Sequence, residues 1–352
     1  MRYLIVQDWD NTHGNHAGMV HMCRLLCEKY PNDYITIVKD CPQPIKIRSN
    51  KFLQKLLGWY DKMIFRRKYV RDYMRICQDM FSSLKDGDEV FLLEYNWPMT
   101  SQYELACYLK KHFHGVKTYA LSHLTPSYFE RQNNIRKEIL KWDRPIDKHL
   151  TFGTSLTNYF QKVGIKGDKI STGLHYVDLD YYKKVVVDVN PSITVISIGA
   201  LQRDFNLLAN IVKGCNEVNW IICKGRKNID DLFMGLENVQ LVGYVDEAEL
   251  RRLMSVSDLS LNVLEDTIGS NVIATSMAMG LGLIVSNVGS IHDYCDESNA
   301  VFCDNRMDSF ISAIKDLSSK RERVLAMRKH SLDKAAFLDI KYTNNWFNTL
   351  NN

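Results

Sequence analysis

Leu259-Ser260-Leu261-Asn262-Val263-Leu264, then Glu265-Asp266-Thr267-Ile268-Gly269-Ser270-Asn271, then Val272-Ile273-Ala274-Thr275-Ser276-Met277-Ala278-Met279-Gly280 reads as a strand, a polar turn and a helix in direct succession. The first run is short and apolar, as a buried strand is, and the helix is built of residues small enough to lie close against a sheet. Acidic, glycine and amide groups collect at the junction. Free backbone N–H groups and the positive end of the helix dipole favour an anion there, such as a phosphate. An ordinary βα turn carries the same punctuation, so this stretch alone leaves both readings open.

The alternation extends in both directions. Upstream, strand-like runs occur at Tyr3 to Gln7, Tyr34 to Val38, Glu89 to Leu93, Lys117 to Leu121 and Lys148 to Phe152, with amphipathic segments such as His16 to Lys29 between them. After a polar joint from Lys183 to Pro191, further runs follow at Ser192 to Gly199, Val218 to Cys223, Val239 to Val242, Leu259 to Val263 and Leu283 to Val285. Helices fit at Asp246 to Ser255 and Met307 to Leu317, and Ser319 to Asn351 is a helical tail. Strands alternating with helices predict parallel sheets covered on both faces. A chain of 352 residues exceeds one typical core, so two such domains are expected.

Composition excludes several classes. No run of ~20 apolar residues is present, and the short apolar start from Met1 to Gln7 suits a first strand better than a signal peptide. The nine cysteines lack paired spacing and mostly fall in apolar patterns, as Cys23 and Cys27 do. They read as reduced core residues of a cytoplasmic protein, not as a disulfide frame or zinc site.

Net charge is only +4, but Pro44 to Arg71 holds nine basic residues against Asp61 alone. Phe52, Leu53, Leu56, Leu57, Trp59, Tyr60, Ile64 and Phe65 are interleaved with them. Such a segment suits an anionic membrane surface, at roughly 1 kcal/mol per basic group near the lipid. A solvated helix packed on its own domain is the plain alternative. Nucleic acid is a third reading of the segment, though no binding motif accompanies the patch and no nucleic-acid partner is expected.

Five further pieces stand in a particular order: His13-Gly14-Asn15-His16-Ala17-Gly18; Ser122-His123; Thr172-Gly173-Leu174-His175-Tyr176-Val177-Asp178 on to Tyr182; Gly199-Ala200-Leu201-Gln202-Arg203-Asp204; and Val239-Gln240-Leu241-Val242-Gly243-Tyr244-Val245-Asp246. With the opening stretch, this order resembles the retaining GT-B glycosyltransferases, the large nucleotide-sugar-dependent family of bacterial mannosyl-, glucosyl- and N-acetylglucosaminyltransferases. The resemblance implies two tandem Rossmann-like domains with a donor/acceptor cleft between them. Residues 1–185 would be the acceptor domain, with the basic segment 44–71, and 186–330 the nucleotide-sugar domain. Residues 331–352 would form a bridging or capping helix.

It also implies roles. Gly14, Asn15, Gly199, Gly269, Ser270 and Asn271 would bring backbone groups to the donor, and Arg203 would grip its phosphates, with Lys224 or Arg226 as a second cation. Tyr244 would lie beside the base and Thr275 would reach the ribose. His123 would face the transferred sugar, with Glu265 and Asp266 as catalytic acids. The family's two acids, eight positions apart, align with Thr267 and Thr275, so neither position is acidic here. No metal site and no cofactor are expected, since Asp8-Trp9-Asp10 reads as loop structure.

The expected activity is retaining, metal-independent transfer from a UDP- or GDP-sugar to a glycan or lipid-linked glycan. Surface polysaccharide or glycoconjugate assembly at the inner face of the cytoplasmic membrane is the setting this suggests. The alternatives are a non-catalytic sugar- or nucleotide-binding protein and a nucleotide-sugar epimerase.

Overall fold

The computed structural model describes residues 1–9, 14–40, 70–96, 100–186 and 192–350. The basic segment 44–71 lies almost entirely outside these residues. The chain forms two compact units, one of 1–151 with 157–172 and the other of 152–156 with 173–352.

The first unit is a six-stranded sheet in the order β2-β1-β3-β4-β5-β6. Its strands are β1 (Arg2–Asp8), β2 (Tyr34–Asp40), β3 (Glu89–Leu92), β4 (Lys117–Leu121), β5 (Lys148–Thr151) and β6 (Ile170–Thr172). All neighbours are parallel. β1 is flanked by β2 on one side and β3 on the other, so the chain's winding reverses between β1 and β3. Side chains on both faces are buried, as in Leu4, Ile5 and Val6, which is why these strands read as continuous apolar runs.

The second unit repeats the plan, in the order β12-β11-β10-β7-β8-β9 and again all parallel. Its strands are β7 (Thr194–Ile198), β8 (Asn219–Cys223), β9 (Val239–Val242), β10 (Leu259–Asn262), β11 (Gly282–Ser286) and β12 (Ala300–Cys303). The reversal here falls between β7 and β10. In open α/β sheets, ligands bind at the carboxyl ends of the strands beside such a reversal.

Sequence-legible caps start three of this unit's helices. Asp204 accepts the Leu207 N–H at 2.9 Å ahead of Phe205–Lys213, and Asp246 accepts that of Glu249 at 2.8 Å ahead of Glu247–Ser255. Ser270 Oγ accepts the Val272 N–H at 3.2 Å ahead of Asn271–Ala278. Each such cap satisfies an otherwise orphaned N–H and is worth about 1 kcal/mol.

The main division falls at Thr172 and Gly173, and the C-terminal helices belong to the second unit. The reason is specific bonding. On helix Arg321–Ala335, Arg328 donates to the Gly280 carbonyl at 3.1 Å and pairs with Asp258 at 2.5 Å, and Ser331 donates to the Leu281 carbonyl at 2.7 Å. The Val177 N–H, from the joining segment, donates to the Leu338 carbonyl at 2.9 Å. Among the described residues no helix is long and apolar enough to cross a membrane.

Candidate functional site

In the second unit, two loops meet at the reversal between β7 and β10. The loop after β7 runs along the loop after β10: Arg203 and Leu264 form an antiparallel bridge, and the Glu265 N–H donates to the Gln202 carbonyl at 3.0 Å. Gly199 stands at the bend with φ of 98°, in the left-handed region that favours glycine. A Cβ there would lie 3.5 Å from Arg203 Nη2 and 3.5 Å from Val272 in the first turn of helix Asn271–Ala278. Guanidinium, glycine backbone and helix start therefore converge on one spot.

Arg203 is the unusual member. Its Nε and Nη1 are closed to solvent and have no hydrogen-bond partner. Burial pushes its pKa down to about 10, which still leaves a full positive charge at neutral pH. A desolvated cation without an anion is costly, and a phosphate is the complementary group.

The loop that carries Glu265 to Ser270 is firmly supported. Its Thr267 carbonyl accepts the Ser290 N–H at 2.8 Å, and the Thr267 hydroxyl accepts the Gly269 N–H at 3.1 Å. Asp266 Oδ1 accepts the Thr267 N–H at 2.8 Å, while the neighbouring Glu265 is exposed. Thr275 is buried and its hydroxyl donates back to the Val272 carbonyl at 3.3 Å. Ser260, Ser276, Asn262 and Ser286 form a buried polar layer under the loop, with Ser276 Oγ donating to Ser260 Oγ at 2.9 Å and Ser286 Oγ accepting the Leu264 N–H at 2.8 Å. None of that layer is singled out by the sequence pattern, because serines in a strand read as ordinary alternation.

Lys224 and Tyr244 lie farther along the same sheet edge, after β8 and β9. Lys224 is ion-paired with Asp230, so its charge is already matched, and Tyr244 is 54% exposed with the Arg226 guanidinium 4.9 Å from its ring centre. Among the described residues Arg203 thus has no ion pair, and Arg226 has only the Tyr244 ring.

The remaining predicted residues are in the first unit. Gly14 has φ of 77°, and Asn15 Oδ1 accepts the Ala17 N–H at 2.7 Å, ahead of helix Met19–Lys29. His123 follows β4, and its Nε2–H donates to the Leu93 carbonyl at 2.8 Å. Burial pushes its pKa down to about 4, against a small upward pull from that carbonyl, so the ring is neutral at pH 7. Glu94, next to Leu93, is absent from the sequence-derived set. Desolvation raises its pKa to about 8, with the Trp9 indole N–H at 3.4 Å pulling it slightly back. Its place two residues past an apolar strand was the available signal.

Residues 193–320 match the protein family described as "Glycosyl transferases group 1". No curated protein matches the chain. Among solved structures, it is similar to sucrose-phosphate synthase from Thermosynechococcus elongatus, with 12% identity, a TM-score of 0.76 and 99% of each chain covered. It is similar to HepE of Anabaena in complex with UDP-glucose, with 13% identity, a TM-score of 0.70 and 99% of each chain covered. The lipopolysaccharide outer core galactosyltransferase WaaB is a third, with 12% identity, a TM-score of 0.69 and 99% of each chain covered. At these identities the structures establish the fold and no more. Residues 193–320 of the second unit are thus similar to the glycosyl transferases group 1 family, in a chain whose two parallel-sheet units have the GT-B fold.

Proposed function

We propose that the protein transfers a sugar from a nucleoside diphosphate sugar, UDP- or GDP-linked, to a glycan or lipid-linked glycan acceptor, with retention. The observation that carries this reading is Arg203, whose Nε and Nη1 are closed to solvent and find no hydrogen-bond partner among the described residues, at the reversal point of the unit that matches the group 1 family. The donor diphosphate would lie against Arg203, the Gly199 and Gly269 backbone and the first turn of helix Asn271–Ala278. That HepE was solved with UDP-glucose supports a nucleotide-sugar ligand.

In the reaction, the bond between the anomeric carbon and the diphosphate oxygen breaks, and its electron pair stays on that oxygen. The acceptor hydroxyl forms the new bond on the same face of the sugar and passes its proton to the departing phosphate. The protein's work is then to stabilise growing negative charge, which Arg203 and fixed N–H groups do best where water is excluded. This assigns charge neutralisation to protein groups instead of a divalent ion. The basic segment 44–71 would hold the enzyme on the inner face of the cytoplasmic membrane, beside a surface-polysaccharide acceptor.

A second reading is a non-catalytic nucleotide-sugar-binding protein. Its support is that Thr267 and Thr275, where the resembling family has acids, have their hydroxyls engaged by local backbone. Release of nucleoside diphosphate from UDP-, GDP- and ADP-sugars, with and without lipid-linked acceptors, separates the two. Turnover of one donor that is lost in Arg203→Ala supports transfer; tight binding with no turnover on any acceptor supports the second reading.

A further inference from the structure

The second unit is also hollowed at the opposite edge of its sheet from Arg203. Two cavities there, of about 200 and 430 Å³, share Lys184 and Arg328 in their walls. Ser257 and Asp258, just ahead of β10, line the smaller, and Met279 and Gly280, just ahead of β11, line the larger. Both therefore lie at the amino ends of the strands, whereas Gly199 and Arg203 follow the carboxyl end of β7. Helix Asn271–Ala278 reaches from one edge to the other. Its first turn stands beside Gly199 and its last residue lines the larger cavity, about 12 Å away by the rise of its residues.

Lys183, Lys184, Arg328 and Lys329 all line the larger cavity. The plain role for cations at this place is to complement the negative end of helix Asn271–Ala278. Arg328 fills that role, since its Nε donates to the Gly280 carbonyl at 3.1 Å and its Nη1 pairs with Asp258 at 2.5 Å. Asp258 is committed in turn: its other oxygen accepts the Thr194 N–H at 3.1 Å, and Arg321 lies 3.8 Å from the first. Lys183 pairs with Asp180 at 3.2 Å. Among the described residues, the Lys184 and Lys329 amines make no hydrogen bond or ion pair. Although Lys184 keeps contact with solvent, desolvation and then the Arg328 charge push its pKa down to about 8, with Asp258 pulling it back. Cations held side by side repel until an anion joins them.

These features select a ligand class. A doubly charged anion matches several cations at once, as a carboxylate does not, and a phosphate monoester carries about −1.5 to −2 charges near neutral pH. The wall formed by Met279, Gly280 and the half-exposed Leu332 suits an uncharged organic part, which inorganic phosphate lacks. We infer that the cavity between Lys184 and helix Arg321–Ala335 binds a small organic phosphate monoester, its phosphate against Lys184, Arg328 and Lys329 and its uncharged part against Gly280 and Leu332. The site is separate from the proposed donor site and does not depend on it. Lys184 must be charged to hold the phosphate, so affinity falls as pH rises through its pKa of about 8.

The test is calorimetric titration of the full chain, natural and Arg203→Ala, with inorganic phosphate, glycerol 3-phosphate and glucose 6-phosphate, at about pH 7.5 and about pH 9.5. At least one ester should bind about tenfold more tightly than inorganic phosphate, equally in both proteins, and about fivefold or more weakly at the higher pH. Lys184→Met should lower that affinity about tenfold at the lower pH with the melting temperature unchanged, whereas Lys184→Arg should keep the binding and lose its pH dependence. Sedimentation with phosphatidylcholine vesicles containing phosphatidic acid separates a free ester from a lipid headgroup. The inference is overturned if no ester binds better than inorganic phosphate, or if only the vesicles bind. Binding that Arg203→Ala abolishes would place the phosphate at the donor site instead and overturn it too. So would unaltered affinity in Lys184→Met or a pH dependence that persists in Lys184→Arg.

Discussion

A Cβ placed on Gly269 would stand 2.2 Å from the Tyr294 hydroxyl oxygen. That hydroxyl donates to the Phe152 carbonyl at 2.7 Å and accepts the His175 N–H at 2.8 Å, so a single phenol ties three segments of the second unit together. Gly269 also has φ of 115°, where an L side chain is strained.

Gly269→Ala should therefore lower stability by about 1 to 3 kcal/mol from backbone strain, with a further loss from displacing the phenol. UDP affinity should fall with it if the helix that follows Ser270 receives the phosphates as proposed. Tyr294→Phe removes the two hydrogen bonds without a clash, for about 1 to 3 kcal/mol, and should leave UDP affinity nearer normal. Thermal melts with UDP titrations check both; a wild-type melt for Gly269→Ala would contradict the close packing.

Arg203→Met should do the reverse for the free protein. An unpartnered buried cation is unfavourable, so its replacement by an apolar side chain of similar length is expected to raise stability by about 1 to 3 kcal/mol while nucleotide binding is lost. Urea unfolding without ligand is the measurement. A clear loss of stability would mean that the guanidinium is satisfied in the free protein.

His123 sets a pH dependence whose direction follows from its low pKa of about 4. The unfolded chain binds the proton near pH 6.5, so this contribution to stability is complete above that value and is lost as pH falls towards 4. The full difference is about 3 kcal/mol. Unfolding at several pH values should show this slope in the natural protein and a shallower one in His123→Gln. Equal slopes would place the titration elsewhere.

Ser270→Ala removes the cap from helix Asn271–Ala278 and should cost about 1 kcal/mol. If the helix start also faces the diphosphate, UDP affinity falls by more than the same substitution lowers it at the caps Asp204 or Asp246. An identical effect at all three would mean that the capping is structural only.

Much of this architecture was legible because parallel strands buried on both faces give uninterrupted apolar runs. β1, β4 and β9 lie within a residue or so of their expected bounds, and Arg203 was singled out through the resemblance, as the nearest cation after the turn at Gly199. β6 and β12 were not anticipated. Ile170–Thr172 is only three residues, and Ala300–Cys303 is a four-residue run with no room for a clear apolar pattern. The match of Lys224 with Asp230 depends on how the loop between β8 and β9 folds, which spacing does not reveal. Glu94 was missed for a similar reason: only the tertiary structure shows that Gln102 and Thr100 fix its backbone.

The most direct test of the central claim is calorimetric titration of UDP and GDP into the natural protein and Arg203→Ala. A charge-assisted contact of this kind is worth about 1.5 to 3 kcal/mol, so one nucleotide should bind the natural protein and lose about tenfold to a hundredfold in affinity in the variant. Binding of either nucleotide with equal strength to both proteins would contradict the account, because Arg203 would then not be the group that receives the phosphates.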